Sequence, residues 1–179
     1  MVSPAPRHAV LTGAPGAGKT TLLEAAAVAG YATSHEVARE LLKAPHGMML
    51  RQQDPLGFAE AMCEAHLREF ATQTGTTTPV IFDRGLPDVV GFLEVSGIQV
   101  APAIDLACRT VRYEGAILRA PAWRDIYRTD AERIQTWEEA VASDEAVTAA
   151  WRRYGYVVRD LPFASVAKRL AVLEASLRG

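Results

Sequence analysis

Eight consecutive residues carry the most definite chemistry in this chain. Gly13-Ala14-Pro15-Gly16-Ala17-Gly18-Lys19-Thr20 fits G-x-x-x-x-G-K-[ST] at every fixed position, the pattern of a phosphate-binding loop. Its three glycines let the backbone curl until successive N–H groups converge on an anion. A helix starting near Lys19 aims its positive end at the same place. The lysine can reach the β- and γ-phosphates of a nucleotide. The Thr20 hydroxyl can ligate a magnesium ion that also binds phosphate oxygens. Thr21 adds a second hydroxyl, which also serves simply to start the helix. Residues 13–21 are thus the expected cradle for ATP and Mg2+.

Two carboxylate–arginine clusters are the next candidates. The apolar run Val80–Phe82 stops at Asp83-Arg84. A strand-end Asp beside a P-loop can hold magnesium through water or accept a proton, and Arg84 can bind a transferring phosphoryl group. The plainer alternative is that Asp83 caps the next helix with Arg84 as its partner. Glu36 and Arg39 follow a short run at Tyr31–His35. A carboxylate and a guanidinium there can grip a polyhydroxy or phosphorylated acceptor. The alternative is a surface pair three residues apart on a helix.

A third cluster follows the run Gly115–Leu118. Arg119, Arg124, Arg128 and Arg133 fall within fifteen residues. Guanidinium groups stay charged and fork onto phosphate oxygens, so a flap carrying them would exclude water and neutralise developing charge. A solvated helix face paired with Asp125, Asp130 and Glu132 is the bland reading. Trp123, Tyr127 and Trp137 can stack on a base, although aromatics at such spacing more often pack.

These residues need elements to position them, and the apolar pattern supplies them. Short runs at 8–12, 31–35, 80–82, 115–118 and 156–159 read as buried strands. Between them lie helices at 20–30, 36–42 and 56–70, two short ones within 86–111, a largely helical 120–150, and a last helix striped by Val166, Leu170, Leu173 and Leu177. Ala44–Gln53 and Thr72–Pro79 read as loops. Strands alternating with helices predict an α/β protein with a parallel sheet. The expectation is a single nucleotide-binding domain over 1–179, with 120–150 as its lid. His66 and Cys63 fall on the apolar stripe of the 56–70 helix and read as core residues. The four histidines show no metal spacing.

Composition removes several classes. Net charge is −2, which does not suit broad phosphate neutralisation on a nucleic acid. Two cysteines cannot build a disulfide scaffold or a zinc site unaided. No run approaches a membrane span, so a cytoplasmic location without membrane partners is expected. The chain has no asparagine, which excludes the Asn-Lys-x-Asp base reader of GTPases. Asp83 is followed by Arg rather than by a water-polarising Glu, a pairing that suits a phosphotransferase better than a hydrolase.

The segments GAPGAGKTTLLEAA, HEVARELL, FDRGLPDVVGFL, WRDIYRTDAERIQTWEEA and YGYVVRDLPFASVAKR resemble the small single-domain P-loop proteins catalogued as AAA-type predicted ATPases. That group is similar to the kinase domain of nicotinamide riboside kinases and, more distantly, to nucleoside and nucleotide kinases. The resemblance implies a P-loop NTPase fold, with a five-stranded sheet in the order 2-3-1-4-5 and a helical lid after the fourth strand. It sets Glu36 and Asp83 at the acidic positions ending strands two and three, and Arg128 and Arg133 among lid arginines. No second helical domain and no sensor segment of a ring-forming motor is found. The expected activity is transfer of the ATP γ-phosphoryl group to a small-molecule hydroxyl or phosphate. The catalytic set is Lys19, Glu36, Asp83, Arg84, Arg128 and Arg133. Arg124 joins the nucleotide contacts, Glu36, Arg39 and Arg84 face the acceptor, and Thr20 and Asp83 hold the metal. A regulatory ATPase, or an ATP-binding module without turnover, is the alternative.

Overall fold

The structure, a computed structural model, describes residues 8–73, 78–128 and 135–178. Five strands form one sheet in the order β2-β3-β1-β4-β5, and every neighbouring pair is parallel. They are β1 (His8–Gly13), β2 (Ala32–Thr33), β3 (Val80–Asp83), β4 (Gly115–Ala120) and β5 (Val158–Asp160). This is the order the resemblance implied. In β1 the burial is continuous from Ala9 to Gly13, as a strand covered on both faces requires.

Alternation along the strands divides the core into two layers. Val10, Phe82 and Ile117 face one layer. It is closed by α4 (Pro55–Gln73), α5 (Leu86–Val95), α6 (Pro102–Thr110) and α7 (Trp137–Arg153). Ala9, Leu11, Ile81 and Leu118 face the other, against α1 (Lys19–Val28) and α8 (Val166–Arg178). The α5–α7 packing is close enough to require glycine. A Cβ on Gly91 would lie 2.6 Å from Val147 Cγ1 and 2.7 Å from the Val147 nitrogen.

Three segments depart from the sequence reading. Helix α2 (Val37–Lys43) is as expected, but the supposed loop at 44–53 contains α3 (Gly47–Gln53). It opens at His46, in the left-handed region with φ 65°, whose carbonyl accepts from Leu50 N–H at 2.8 Å. Seven residues containing Gly47 and a polar end give too little periodicity to read as a helix. The expected helix from 120 begins only at Trp137. Thr136 caps it, its hydroxyl accepting from Glu139 N–H while Glu139 accepts from Thr136 N–H, a reciprocal capping box. Residues 124–126 instead form a turn, with Tyr127 N–H donating to the Trp123 carbonyl at 3.0 Å. Strand β2 shrinks to two residues.

One buried carboxylate ties the central strand to the helices of the first layer. Asp88, in the first turn of α5, accepts from Thr12 Oγ1 at 2.6 Å, Arg84 Nη1 at 2.9 Å, Gly85 N–H at 3.1 Å and Trp151 Nε1 at 2.9 Å. Its donors come from β1, the β3–α5 corner and α7. Trp151 is fully buried, so its indole N–H needs a partner inside the protein. Asp88→Ala would remove a shared acceptor from four donors, including a partly buried guanidinium. The expected loss of stability is about 3–5 kcal/mol, as for one-sided removal of a buried ion pair. Urea denaturation measures it, and a loss below about 1 kcal/mol, the scale of a single hydrogen bond, would contradict the shared-anchor account.

Candidate active site

The P-loop leaves β1 at Gly13 and is pinned at once. Gly13 has φ 113°, and a Cβ there would lie 2.3 Å from the Ala120 carbonyl oxygen. Ala14 N–H donates to that same oxygen at 3.0 Å. Gly16 and Gly18 also take positive φ, 72° and 76°, which turns the backbone between them into a concave run of N–H groups. Ala14 and Ala17 are buried beneath it. Lys19 is buried too, and its ammonium donates to the carbonyls of Gly13 and Ala14. Burial, and then Arg84, push its pKa down to about 7 against the pull of Asp83, Glu36 and Asp88.

Asp83 ends β3 on the same side. Its N–H donates to Ser34 Oγ at 2.8 Å, and Oδ1 is buried with no hydrogen-bond partner among the described residues. Burial raises its pKa to about 6, with Arg84 opposing. Arg84 occupies the left-handed region at φ 66°, a costly conformation for a side-chain-bearing residue. Its N–H donates to the Leu11 carbonyl at 3.0 Å, while Nη1 donates to Asp88 at 2.9 Å and to the Gly13 carbonyl at 3.2 Å. The arginine therefore pairs with Asp88 rather than Asp83, and Asp88 caps α5. Sequence reasoning missed Asp88, whose position in a first helical turn is ordinary for an acid.

All these groups open onto one cavity of about 1040 Å³. The P-loop, Glu36, Asp83 and Arg84 line one part of it. Phe58, Met62, His66, Val89 and Phe92 line another. Thr20, Thr21 and Arg39 also face the cavity, and Arg39 Nε lies 3.7 Å from Glu36. His66 is buried and in the wall, with burial pushing its pKa down to about 4. It is neutral at physiological pH, a polar tip in an apolar surface.

The arginine cluster after β4 divides. Arg119 is part of the fold: it donates to Asp144 at 2.8 and 2.9 Å and to Asp160 at 3.3 Å. Arg124 lies over the Trp137 ring at 5.0 Å and faces a small side cavity rather than the main one. Arg128 lines both and donates to the Tyr127 carbonyl at 2.7 Å. Arg133 lies outside the described residues. No helix of the described residues is long and apolar enough to cross a membrane, and they contain no cluster of three His, Cys, Asp or Glu suited to a metal ion. The sequence reading also missed Arg169 of α8, which is buried against the P-loop and donates to the Ala17 carbonyl at 2.9 Å.

This sheet order, with a P-loop following the central strand, is that of the P-loop NTPase fold. A family model described as "AAA domain" matches residues 8–169, and the chain belongs to that family. Among solved structures, deoxyadenosine kinase from M. mycoides with bound dATP superposes with a TM-score of 0.73 at 14% identity, covering 96% of this chain and 100% of the kinase. NadR protein in complex with NR gives 0.74 at 15% identity, covering 97% of this chain and 50% of NadR. Thymidylate kinase from Ehrlichia chaffeensis gives 0.61 at 15% identity, covering 96% of this chain and 99% of that one. No curated protein matches the sequence.

The buried Asp83 makes a pH-dependent prediction. Its folded-state pKa is raised from 3.8 to about 6, so its charge opposes folding above that pH and not below the unfolded value. Asp83→Asn should raise the Tm at pH 8. The gain should shrink as pH falls through about 6 and vanish towards 3.8. A lower Tm in the variant at pH 8 would mean that its charge is compensated in the fold.

Proposed function

We propose that this chain is an ATP-dependent phosphotransferase that moves the γ-phosphoryl group of ATP to a hydroxyl or phosphate of a small molecule. One observation carries the reading. The cavity that Lys19, Asp83 and Arg84 line is also lined by apolar side chains of α4 and α5, namely Phe58, Met62, Val89 and Phe92. A module that only held ATP would not need that space, and a hydrolase would have little use for an apolar wall beside its phosphates. Such a cavity is of the kind that takes a small organic ligand. The same reading takes the chain as one nucleotide-binding unit; of the stretch 120–150 expected as a lid, α7 is packed in the core, so the lid role falls to the residues before it.

In this reading the P-loop from Gly13 to Gly18, with Thr21, holds the phosphates by its N–H groups, and Lys19 neutralises the β- and γ-oxygens. Glu36 and Arg39 face the acceptor, and Glu36 takes its proton. The acceptor oxygen bonds to the γ-phosphorus, the bond to the bridging oxygen breaks, and ADP leaves. Arg84 stabilises the charge on the transferring group. Its Nη1 is engaged by Asp88 and Gly13, which leaves Nε and Nη2 for phosphoryl oxygens. The residues fit magnesium: a buried carboxylate oxygen without a hydrogen-bond partner among the described residues and Thr20, whose hydroxyl is on the cavity wall, offer hard oxygen ligands. When bound, the ion supplies charge neutralisation on the phosphates.

ADP release measured with and without candidate acceptors tests the reading. Acceptor-dependent release is expected. Slow release that no acceptor stimulates would favour a regulatory ATPase, and tight ATP binding without release would favour a holding module. Lys19→Ala should fold and lose turnover by about 10²–10³-fold, the effect of removing one charge-stabilising donor. Within the site, Glu36→Gln should lower transfer with little change in magnesium–ATP affinity, whereas Asp83→Asn should weaken that affinity. Equal weakening by both would overturn this division of roles.

Residues 120–128, with Arg124, Arg128 and the Arg133 segment, act in this reading as a lid that closes over ATP. Pro121 restricts the residue before it and sets the exit from β4. Guanidinium groups here repel one another until a triphosphate supplies the anion they share. Arg128→Ala should depress kcat more than it raises the Kd for ATP. Amides of 120–128 should exchange more slowly with a non-hydrolysable ATP analogue. Equal exchange with and without the analogue would leave the stretch a solvated turn.

A further inference from the structure

The cavity wall leads away from the P-loop along α5. Asp88, Val89, Phe92, Val95 and the C-cap Ser96 all line it. Asp88 marks the P-loop end, because Arg84 Nη1 bonds both Asp88 and the Gly13 carbonyl. At a rise of about 1.5 Å per residue, Phe92 stands about 6 Å further along the helix and Ser96 about 12 Å.

Charge is segregated along this wall. The acids on the cavity are Glu36, Asp83 and Asp88. All three act on Lys19, so they gather at the P-loop. Arg51, in the last turn of α3, lines the cavity at Phe92 instead. Its guanidinium carbon lies 6.0 Å from the centre of that ring, at the outer limit of a cation–π contact. Arg51 is partly buried and has no ion pair with an acid among the described residues. Asp54, the acid nearest to it in sequence, accepts from Gly57 N–H at 2.9 Å. A cation in a last helical turn complements the helix dipole wherever it points. That does not account for a guanidinium placed beside an aromatic ring in the wall of a ligand-sized cavity, with its forked donors unspent.

The side chains next to Phe92 are apolar. Its ring lies 5.6 Å from that of Phe58, and Met62 and Val89 line the same cavity. His66 interrupts this surface. It is 6% exposed and has no hydrogen-bond partner among the described residues. A buried polar group of this kind is completed by a ligand atom.

We propose that the phosphoryl acceptor is an organic anion, an apolar or aromatic body that holds its reacting hydroxyl beside Arg84 and, one to two helical turns away, a carboxylate or phosphate on Arg51. The proposal deepens the phosphotransferase reading above and rests on it. The fork of Arg51 fits either anion. Phe58 and Phe92 pack the body, and His66 gives one hydrogen bond to an uncharged polar group on it. Lys43 of α2, exposed on the same cavity, adds a second positive charge.

ADP release by the full chain tests this with hydroxymethyl-substituted benzenes, naphthalenes and indoles as acceptors. Each frame is offered in three matched forms, bearing a carboxylate, a phosphate monoester or a neutral carboxamide away from the hydroxyl. Release should be stimulated by the anionic forms and not by the carboxamides, and the better anionic form identifies the group that Arg51 holds. Arg51→Met should raise the KM of the best anionic acceptor at least about tenfold, the scale of a hydrogen bond to a charged group, and lower kcat less. Arg51→Lys keeps the charge without the fork and should fall between. If Arg51→Met does not fold, the lysine variant and the wild-type preference for anions carry the test. Stimulation by carboxamides as strong as by anions, or an unchanged KM in Arg51→Met, overturns the proposal and leaves Arg51 a helix-end charge, with the phosphotransferase reading intact. Release that no acceptor stimulates overturns that reading, and the proposal with it.

Discussion

A single side chain, Asp88, holds the geometry on which the rest depends. It gathers a hydroxyl from the central strand, a backbone N–H from the start of its own helix, a guanidinium and an indole N–H. Each is buried or partly so, and each would cost free energy if left unpaired. Arg84 adopts a left-handed backbone that is tolerable only because its side chain and N–H are both tied down. Asp83, the neighbouring residue, ends the strand with Oδ1 buried and without a hydrogen-bond partner among the described residues. Removing the Asp88 charge would therefore disturb two adjacent residues through their backbone, not only through lost contacts.

The charge balance around the P-loop follows from this arrangement. Two cations, Lys19 and Arg84, face three carboxylates, Glu36, Asp83 and Asp88, all close enough to perturb the lysine. A polyphosphate adds further negative charge. In the proposed reading a divalent cation would offset that charge, since buried like charges interact strongly where water is excluded.

The legible parts of the sequence were those with local causes. Glycine spacing, a lysine and a threonine describe the P-loop because its geometry is made by consecutive backbone units. Strands β1 and β3 were legible because sheets covered on both faces need unbroken apolar runs. What escaped was non-local. Asp88 binds Thr12 and Trp151 across 76 and 63 positions, and Arg169 reaches Ala17 across 152. No spacing rule joins such partners. Arg119 looked like one of four equivalent cations, yet its place inside β4 commits it to Asp144 and Asp160. Helix α3 escaped because short helices depend on their neighbours more than on propensity. His66 was correctly read as buried, but one side of its surroundings is the cavity, which an apolar stripe cannot reveal.

Gly13 is usually thought of as the first residue of a phosphate cradle, but its surroundings give it a second reason to be glycine. Its α-carbon is pressed against the last peptide of β4, with 2.3 Å between any added methyl and the Ala120 oxygen. The obstacle is backbone on both sides, so no side-chain rearrangement can relieve it. An alanine at this position would be rejected by the assembly of the sheet even in a protein with no ligand to bind. Invariance of this glycine in an alignment would thus report strand packing as much as catalysis. Only substitutions at Gly16 and Lys19, away from the Ala120 contact, would isolate selection on the nucleotide itself.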